Sequence, residues 1–228
     1  MPKPTDVRIV SAQATSEQID YRTPMKFGGR VVTDVWLLHV TVEVETPAGR
    51  RAQGLGSMPV GNAWAWPSPT LASNQTLEAM LDLGQRLVAE ADGHPSVGHP
   101  LDLTRELSQS HERTVEAVVR AANLSEPMPR LAQLVAASPL EAAIHDAFGK
   151  AHDQNSYNLL AREWVSHDLG HYLSAEFAGE YLDRYTSRQP KARMPLYHLV
   201  GALDPLTSAD LPVPVGDGLP ETLPDWIA

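Results

Sequence analysis

The chain contains no cysteine, which excludes a disulfide framework, a thiolate metal site and a thiol nucleophile. It lacks any apolar run approaching the roughly 20 residues that a membrane span requires. Its first residues, Met-Pro-Lys-Pro-Thr-Asp, have no apolar core of the signal-peptide kind. Basic charge is scarce. Asp and Glu outnumber Lys and Arg 28 to 18, giving a formal net charge of −10 and no cationic footprint for nucleic acid or an anionic membrane. The expectation is a cytoplasmic protein that binds neither. What is present suffices for a substantial core: 228 residues, 43% of them apolar, in one or two domains.

Hydrophobic periodicity divides the chain. Val7–Val10 is a short β-like run, and Val31–Thr46 is a long one in which Val40, Val42 and Val44 alternate with Thr41, Glu43 and Glu45, the period of a half-buried strand. Pro47-Ala-Gly49 supplies a turn, and Arg50–Met58 returns antiparallel, its Gly54 and Gly56 allowing a close approach or a bulge. Between the first two strands, Tyr21–Arg30 is polar and glycine-rich and is predicted as a mobile loop. From Ser73 the period becomes helical, with Leu77, Met80, Leu81, Leu87 and Val88 in one stripe that Gly93 ends. A second helix carries Leu103, Leu107, Val115, Val118 and Val119. A third is predicted to begin at Ser138-Pro-Leu-Glu141, an N-cap, a first-turn proline and a capping-box glutamate, with Leu140, Ala143, Ile144, Ala147 and Phe148 on one side. Strands followed by helices predict an α+β fold, a three-stranded antiparallel meander followed by a helical bundle, over residues 1–190. After a linker at Ser187–Arg193, Met194–Gly201 is continuously apolar and predicted as a strand buried on both faces, and Pro220–Ala228 as the start of a helix.

Four places carry residues suited to chemistry. His167-Asp-Leu-Gly-His171 sets two imidazoles at the spacing of a zinc-protease motif with Asp in place of Glu, and Glu176 or Glu180 as the third ligand. The competing expectation is a surface or interface helix packed by Tyr172, Phe177 and Tyr181. Gly93–Pro100 holds two histidines in what reads as a rigid loop between helices. Phe27-Gly-Gly-Arg30 offers backbone amides and a guanidinium to an anion. Arg22 and Lys26, on a loop rather than a packed face, suit a substrate carboxylate. Trp64 and Trp66 either line a pocket or cover the sheet, and packing is the expectation.

Taken in order, the segment Tyr21-Arg-Thr-Pro-Met-Lys-Phe27, the strand Val40–Arg50, the helix Ser138–Ala151 and the apolar run Leu196–Gly201 resemble the enolase superfamily, in its mandelate racemase and muconate lactonizing enzyme branch. The resemblance implies that residues 1–190 form the N-terminal capping domain, and 191–228 the first strand and first helix start of a (β/α) barrel of which these residues do not include the rest. It implies a reaction in the intact enzyme: abstraction of the proton alpha to a carboxylate, with Mg2+ stabilising the enediolate, as in a dehydratase, racemase or cycloisomerase on an acid sugar or related acid. The groups that do this belong to later barrel strands, so no catalytic or metal residue carries over, the chain alone is expected to be inactive and no Mg2+ is expected on it. What carries over is the lid: Tyr21, Arg22, Met25, Lys26 and Phe27 are expected to contact substrate. The implied partners are a small carboxylate and a complementing barrel chain, with a homo-oligomer also open. The alternatives are a stand-alone binding or interaction module that keeps the capping fold, and a zinc hydrolase using His167 and His171.

Overall fold

The computed structural model describes residues 3–27, 30–197, 199–211 and 213–227. Three long strands, β1 (Val7–Phe27), β2 (Arg30–Glu45) and β3 (Arg51–Pro59), form the expected antiparallel meander. The alternation in β2 is what makes it two-faced: Leu38, Val40, Val42 and Val44 are fully buried, while His39, Thr41 and Glu43 on the other face are half-buried. Two helices cover the buried face after a short α1 (Asn62–Ala65). The first is α2 (Ser73–Ala91), which buries Ala79, Met80, Leu83, Leu87 and Val88 and is followed by Gly93 at φ +64°. A strand of two residues, β4 (Val97–Gly98), then pairs with the start of β1, giving the sheet order β3-β2-β1-β4.

Two predicted helices are differently bounded. The stretch from Leu103 to Val119 is not one helix but two, α3 (Pro100–Ser108) and α4 (His111–Ala121), because Ser110 turns the chain. The Ser110 and Thr114 hydroxyls both donate to the Glu90 carboxylate of α2, each at 2.5 Å, which fixes the second helix against the first layer. Ser138 is not an N-cap. Helix α5 (Arg130–Ala151) begins eight residues earlier and holds Pro139 in its interior. Proline lacks the N–H that would reach the Val135 carbonyl, and the Ser138 hydroxyl supplies that bond at 3.0 Å. Ala132, Val135 and Ala136 extend the buried face that Leu140, Ala143, Ile144, Ala147 and Phe148 continue.

Gly54 and Gly56 do bring backbone to backbone. A Cβ at Gly54 would stand 2.2 Å from the Ala143 carbonyl oxygen, so β3 and α5 touch with no side chain between them. Beyond α5 the chain runs through short turns and α6 (Leu169–Tyr172) to α7 (Leu223–Ile227), where Thr222 and Asp225 make a hydroxyl-to-carboxylate cap at 2.6 Å. The apolar run at 194–201 is not a strand among the described residues, His198 lying outside them. Leu196 is 98% and Tyr197 90% exposed. A run of this kind is buried only between neighbouring strands, and the four-stranded sheet places none beside it. No described helix is long and apolar enough to cross a membrane.

Candidate functional site

Tyr21–Phe27, predicted as a mobile loop, is strand. It continues β1 and pairs with β2 up to Phe27↔Arg30. The two glycines that suggested a loop lie outside the described residues, as does the amide part of the proposed anion site at Phe27–Arg30. Arg30 itself donates to the Ser68 carbonyl at 3.3 Å. Between Asp20↔Asp34 and Met25↔Val32 the register slips, and Pro24, with no N–H to give the ladder, falls inside the slip.

Because β2 pairs with β3 only from Leu37↔Pro59 onward, residues 30–36 pair with β1 alone and the hairpin projects past the sheet. One side of this ribbon faces Gly61–Trp64, and between them is a cavity of about 220 Å³ lined by Tyr21, Met25, Phe27, Trp36, Asn62 and Trp64. Asn62 is held by its side-chain amide, which donates to the Ser73 carbonyl at 2.7 Å and the Thr76 hydroxyl at 2.9 Å. The two tryptophans therefore divide: Trp64 lines the cavity, whereas Trp66 is buried and donates to Glu126 Oε1 at 2.8 Å.

The two cations of the lid are placed apart from that apolar wall. Arg22 forms a fork with Asp217, Nε to Oδ2 at 2.6 Å and Nη2 to Oδ1 at 2.7 Å, and also donates to the carbonyls of Leu219 and Pro220. The guanidinium holds the Asp217 carboxyl down to about 2. Lys26 is exposed, with no ion-pair partner among the described residues. Thus three of the five residues expected to contact substrate line one cavity, Arg22 binds a carboxylate of its own chain, and Lys26 is exposed.

His167 and His171 also come together, though not on a common helix face. Helix α6 has four residues, and Asp168, standing where the motif would have its general base, is its N-cap, accepting from the His171 N–H at 3.2 Å and the Gly179 N–H at 2.6 Å. These amides hold the Asp168 carboxyl below its usual range. The imidazoles stack with centroids 4.1 Å apart and an interplanar angle of 20°. The proposed third ligands are elsewhere: Glu180 is paired with Arg184 and with the Tyr185 hydroxyl, and Glu176 is exposed. Asp102 of α3 takes that place, its Oδ1 2.9 Å from His167 Nδ1 and accepting from the Tyr172 hydroxyl at 2.5 Å. Nothing in the sequence links Asp102 to His167, 65 positions away. Of the histidines in Gly93–Pro100, His99 is fully buried and caps α3: Leu101 N–H donates to Nδ1 at 3.2 Å, so Nε2 carries the proton and donates to the Leu159 carbonyl at 2.9 Å. Burial and the neighbouring His145 lower its pKa to about 4.

No family model and no curated protein matches the chain. Solved structures to which it is similar include a dipeptide epimerase from Enterococcus faecalis V583, complexed with Mg and a dipeptide, at 15% identity over 68% of this chain and 35% of that one, with a TM-score of 0.40. A second is an enolase from Bradyrhizobium complexed with magnesium and mandelic acid, at 19% identity over 69% and 36%, TM-score 0.39. A third is an L-talarate/galactarate dehydratase from Salmonella typhimurium LT2, at 16% identity over 69% and 34%, TM-score 0.39. The chain spans about a third of the length of these structures.

Proposed function

We propose that residues 1–190 are the capping part of an enolase-superfamily enzyme of the mandelate racemase and muconate lactonizing enzyme type, and that their task is to enclose and select a small carboxylate in the cytoplasm. The observation that carries this is the cavity beneath the projecting hairpin, where Tyr21, Met25 and Phe27 face Trp36 and Trp64. An apolar cavity with a few polar groups at its edge is the usual form of a small-molecule site. Asn62 supplies a held amide, and Lys26 on the same hairpin supplies positive charge for a carboxylate, Arg22 being taken up by Asp217. Residues 191–228 are the connection to a barrel that brings the base and the metal.

The residues present do not fit Mg2+. That ion takes oxygen ligands, whereas the described residues bring together only one group of three or more His, Asp or Glu side chains, and two of its three members are imidazoles. Mg2+ therefore has no ligand set among the described residues. It would bind barrel carboxylates of the intact enzyme.

The test is complementation. This chain is mixed with an enolase-type barrel chain from the same genome, and exchange of the α-proton of a panel of acid sugars and aryl hydroxy acids is followed in deuterated water with and without Mg2+. Exchange that needs both chains and the metal is the expected result, and its loss with Phe27→Ala or Tyr21→Ala would place the cavity at the substrate. Absence of exchange across the panel counts against the reading.

A further inference from the structure

The cluster of Asp102, His167 and His171 has no part in the capping role, and its chemistry is specific. The three side chains come from two separate places, the first turn of α3 and the segment around α6, and each offers a ligand atom within 4.8 Å of the others. We propose that they form a binding site for a zinc-type divalent transition ion, with His167, His171 and Asp102 as ligands and water in the remaining position.

Four features support this. Two imidazoles and a carboxylate are a borderline donor set that suits Zn2+ and its neighbours rather than Mg2+ or Ca2+. Tetrahedral Zn2+ places ligand atoms about 3.4 Å apart, so no pair needs to close by more than about 1.4 Å, and both histidines lie at exposed positions. Asp102 is already oriented, because the Tyr172 hydroxyl donates to it, which is the outer support that metal-ligating carboxylates have. The fourth is independent of the cluster. Asp6 lines the same open pocket, is 1% exposed, and leaves Oδ1 with no hydrogen-bond partner among the described residues, while Oδ2 accepts from the Lys3 backbone N–H at 2.6 Å. A buried carboxylate oxygen without a donor is costly, and a cation in that pocket would satisfy it directly or through its water.

An ion here would tie the segment around α6 to α3 and to the residues leading into β1. Three protein ligands also leave a position open to solvent, the arrangement in which zinc activates water or receives an anion. Arg105 lines the same pocket and suits an anionic ligand on the ion.

The experiment uses the full chain, tag removed and treated with EDTA, titrated calorimetrically with Zn2+ alone and spectroscopically with Co2+ alone. The expected result is one saturable site, a visible d–d spectrum for bound Co2+ and a raised Tm with Zn2+. His171→Ala and His167→Ala, both at exposed positions, should weaken binding roughly tenfold or more and abolish the Co2+ spectrum. Tyr172→Phe should weaken it less, and His39→Asn, on β2 and away from the pocket, should not. No saturation at millimolar Zn2+ overturns the proposal. So does unchanged affinity in His171→Ala with native circular dichroism. Neither result bears on the capping role, which the complementation assay tests separately.

Discussion

Gly56 of β3 and Pro139 of α5 meet backbone to backbone: a Cβ built on the glycine would lie 1.9 Å from the proline carbonyl oxygen. No rotamer relieves this, since the obstructing atom belongs to the helix itself. Gly56→Ala must displace α5 from the sheet and is expected to cost about 1–3 kcal/mol, the range for overpacked cores. Chemical denaturation measures it, and an unchanged midpoint would mean that the helix can retreat freely.

Ser138 and Pro139 act as a pair. Ser138→Ala removes the donor to the Val135 carbonyl and is expected to cost about 1 kcal/mol. In the double variant Ser138→Ala/Pro139→Ala, the new backbone N–H can take that carbonyl. The loss from the serine substitution should then shrink, and additive effects in the cycle would show that the hydroxyl has no such role.

Buried His99 predicts loss of stability in mild acid. Its pKa is lowered to about 4 in the folded protein against about 6.5 when unfolded. Below about 6.5 the unfolded chain therefore takes up a proton that the folded chain refuses, and stability falls with pH until about 4. The shift corresponds to about 3 kcal/mol. His145, also lowered to about 4 by burial, adds in the same direction. Urea midpoints in EDTA at pH 7, 5.5 and 4 test this. A flat profile would sink it, and His99→Gln should lessen the slope.

The Arg22–Asp217 fork joins the lid hairpin to the segment before α7. Asp217→Ala should speed amide exchange across residues 213–227 several-fold without changing exchange in α2 or α5. Because the pair is exposed, molar salt should weaken the contrast between the two proteins. Equal exchange at low salt would show that the segment is held by other contacts. The same substitution frees Arg22, so a carboxylate ligand of the lid should bind Asp217→Ala more tightly.

Local patterns in the sequence identified what depends on a residue and its near neighbours. The alternation of Val40, Val42 and Val44 gave β2 its inner face, and the stripe from Leu77 to Val88 gave α2 its own. Even the close approach at Gly54 and Gly56 was legible, because only a missing side chain permits it. What misled was local chemistry with more than one meaning. Ser138-Pro139 has the composition of a helix start, yet the same hydroxyl can repair a helix interior, and the buried Ala132, Val135 and Ala136 decide between them. Tyr21–Phe27 reads as a loop by composition, and pairing with β2 makes it strand. The cluster at Asp102 was invisible because it depends on where α3 lies against a segment 65 residues later. Of the cavity, Tyr21, Met25 and Phe27 were singled out in the sequence but the wall at Trp36 and Asn62 was not, since it belongs to a different part of the chain.

The projecting part of the hairpin is a lever. Seven residues of β2, from Arg30 to Trp36, extend past the end of β3, about 24 Å at the usual strand rise. Its fulcrum is where the Val60 N–H donates to the Trp36 carbonyl at 2.7 Å. Two-stranded ribbons change twist more readily than wide sheets, and a rotation of about 10° at the fulcrum sweeps Phe27 through about 4 Å by the same strand length. Gearing of this kind transfers control of fit from the tip to the base. Substitutions at Val60 or Trp36, which line the base of the cavity, would then retune which molecules the tip can close upon.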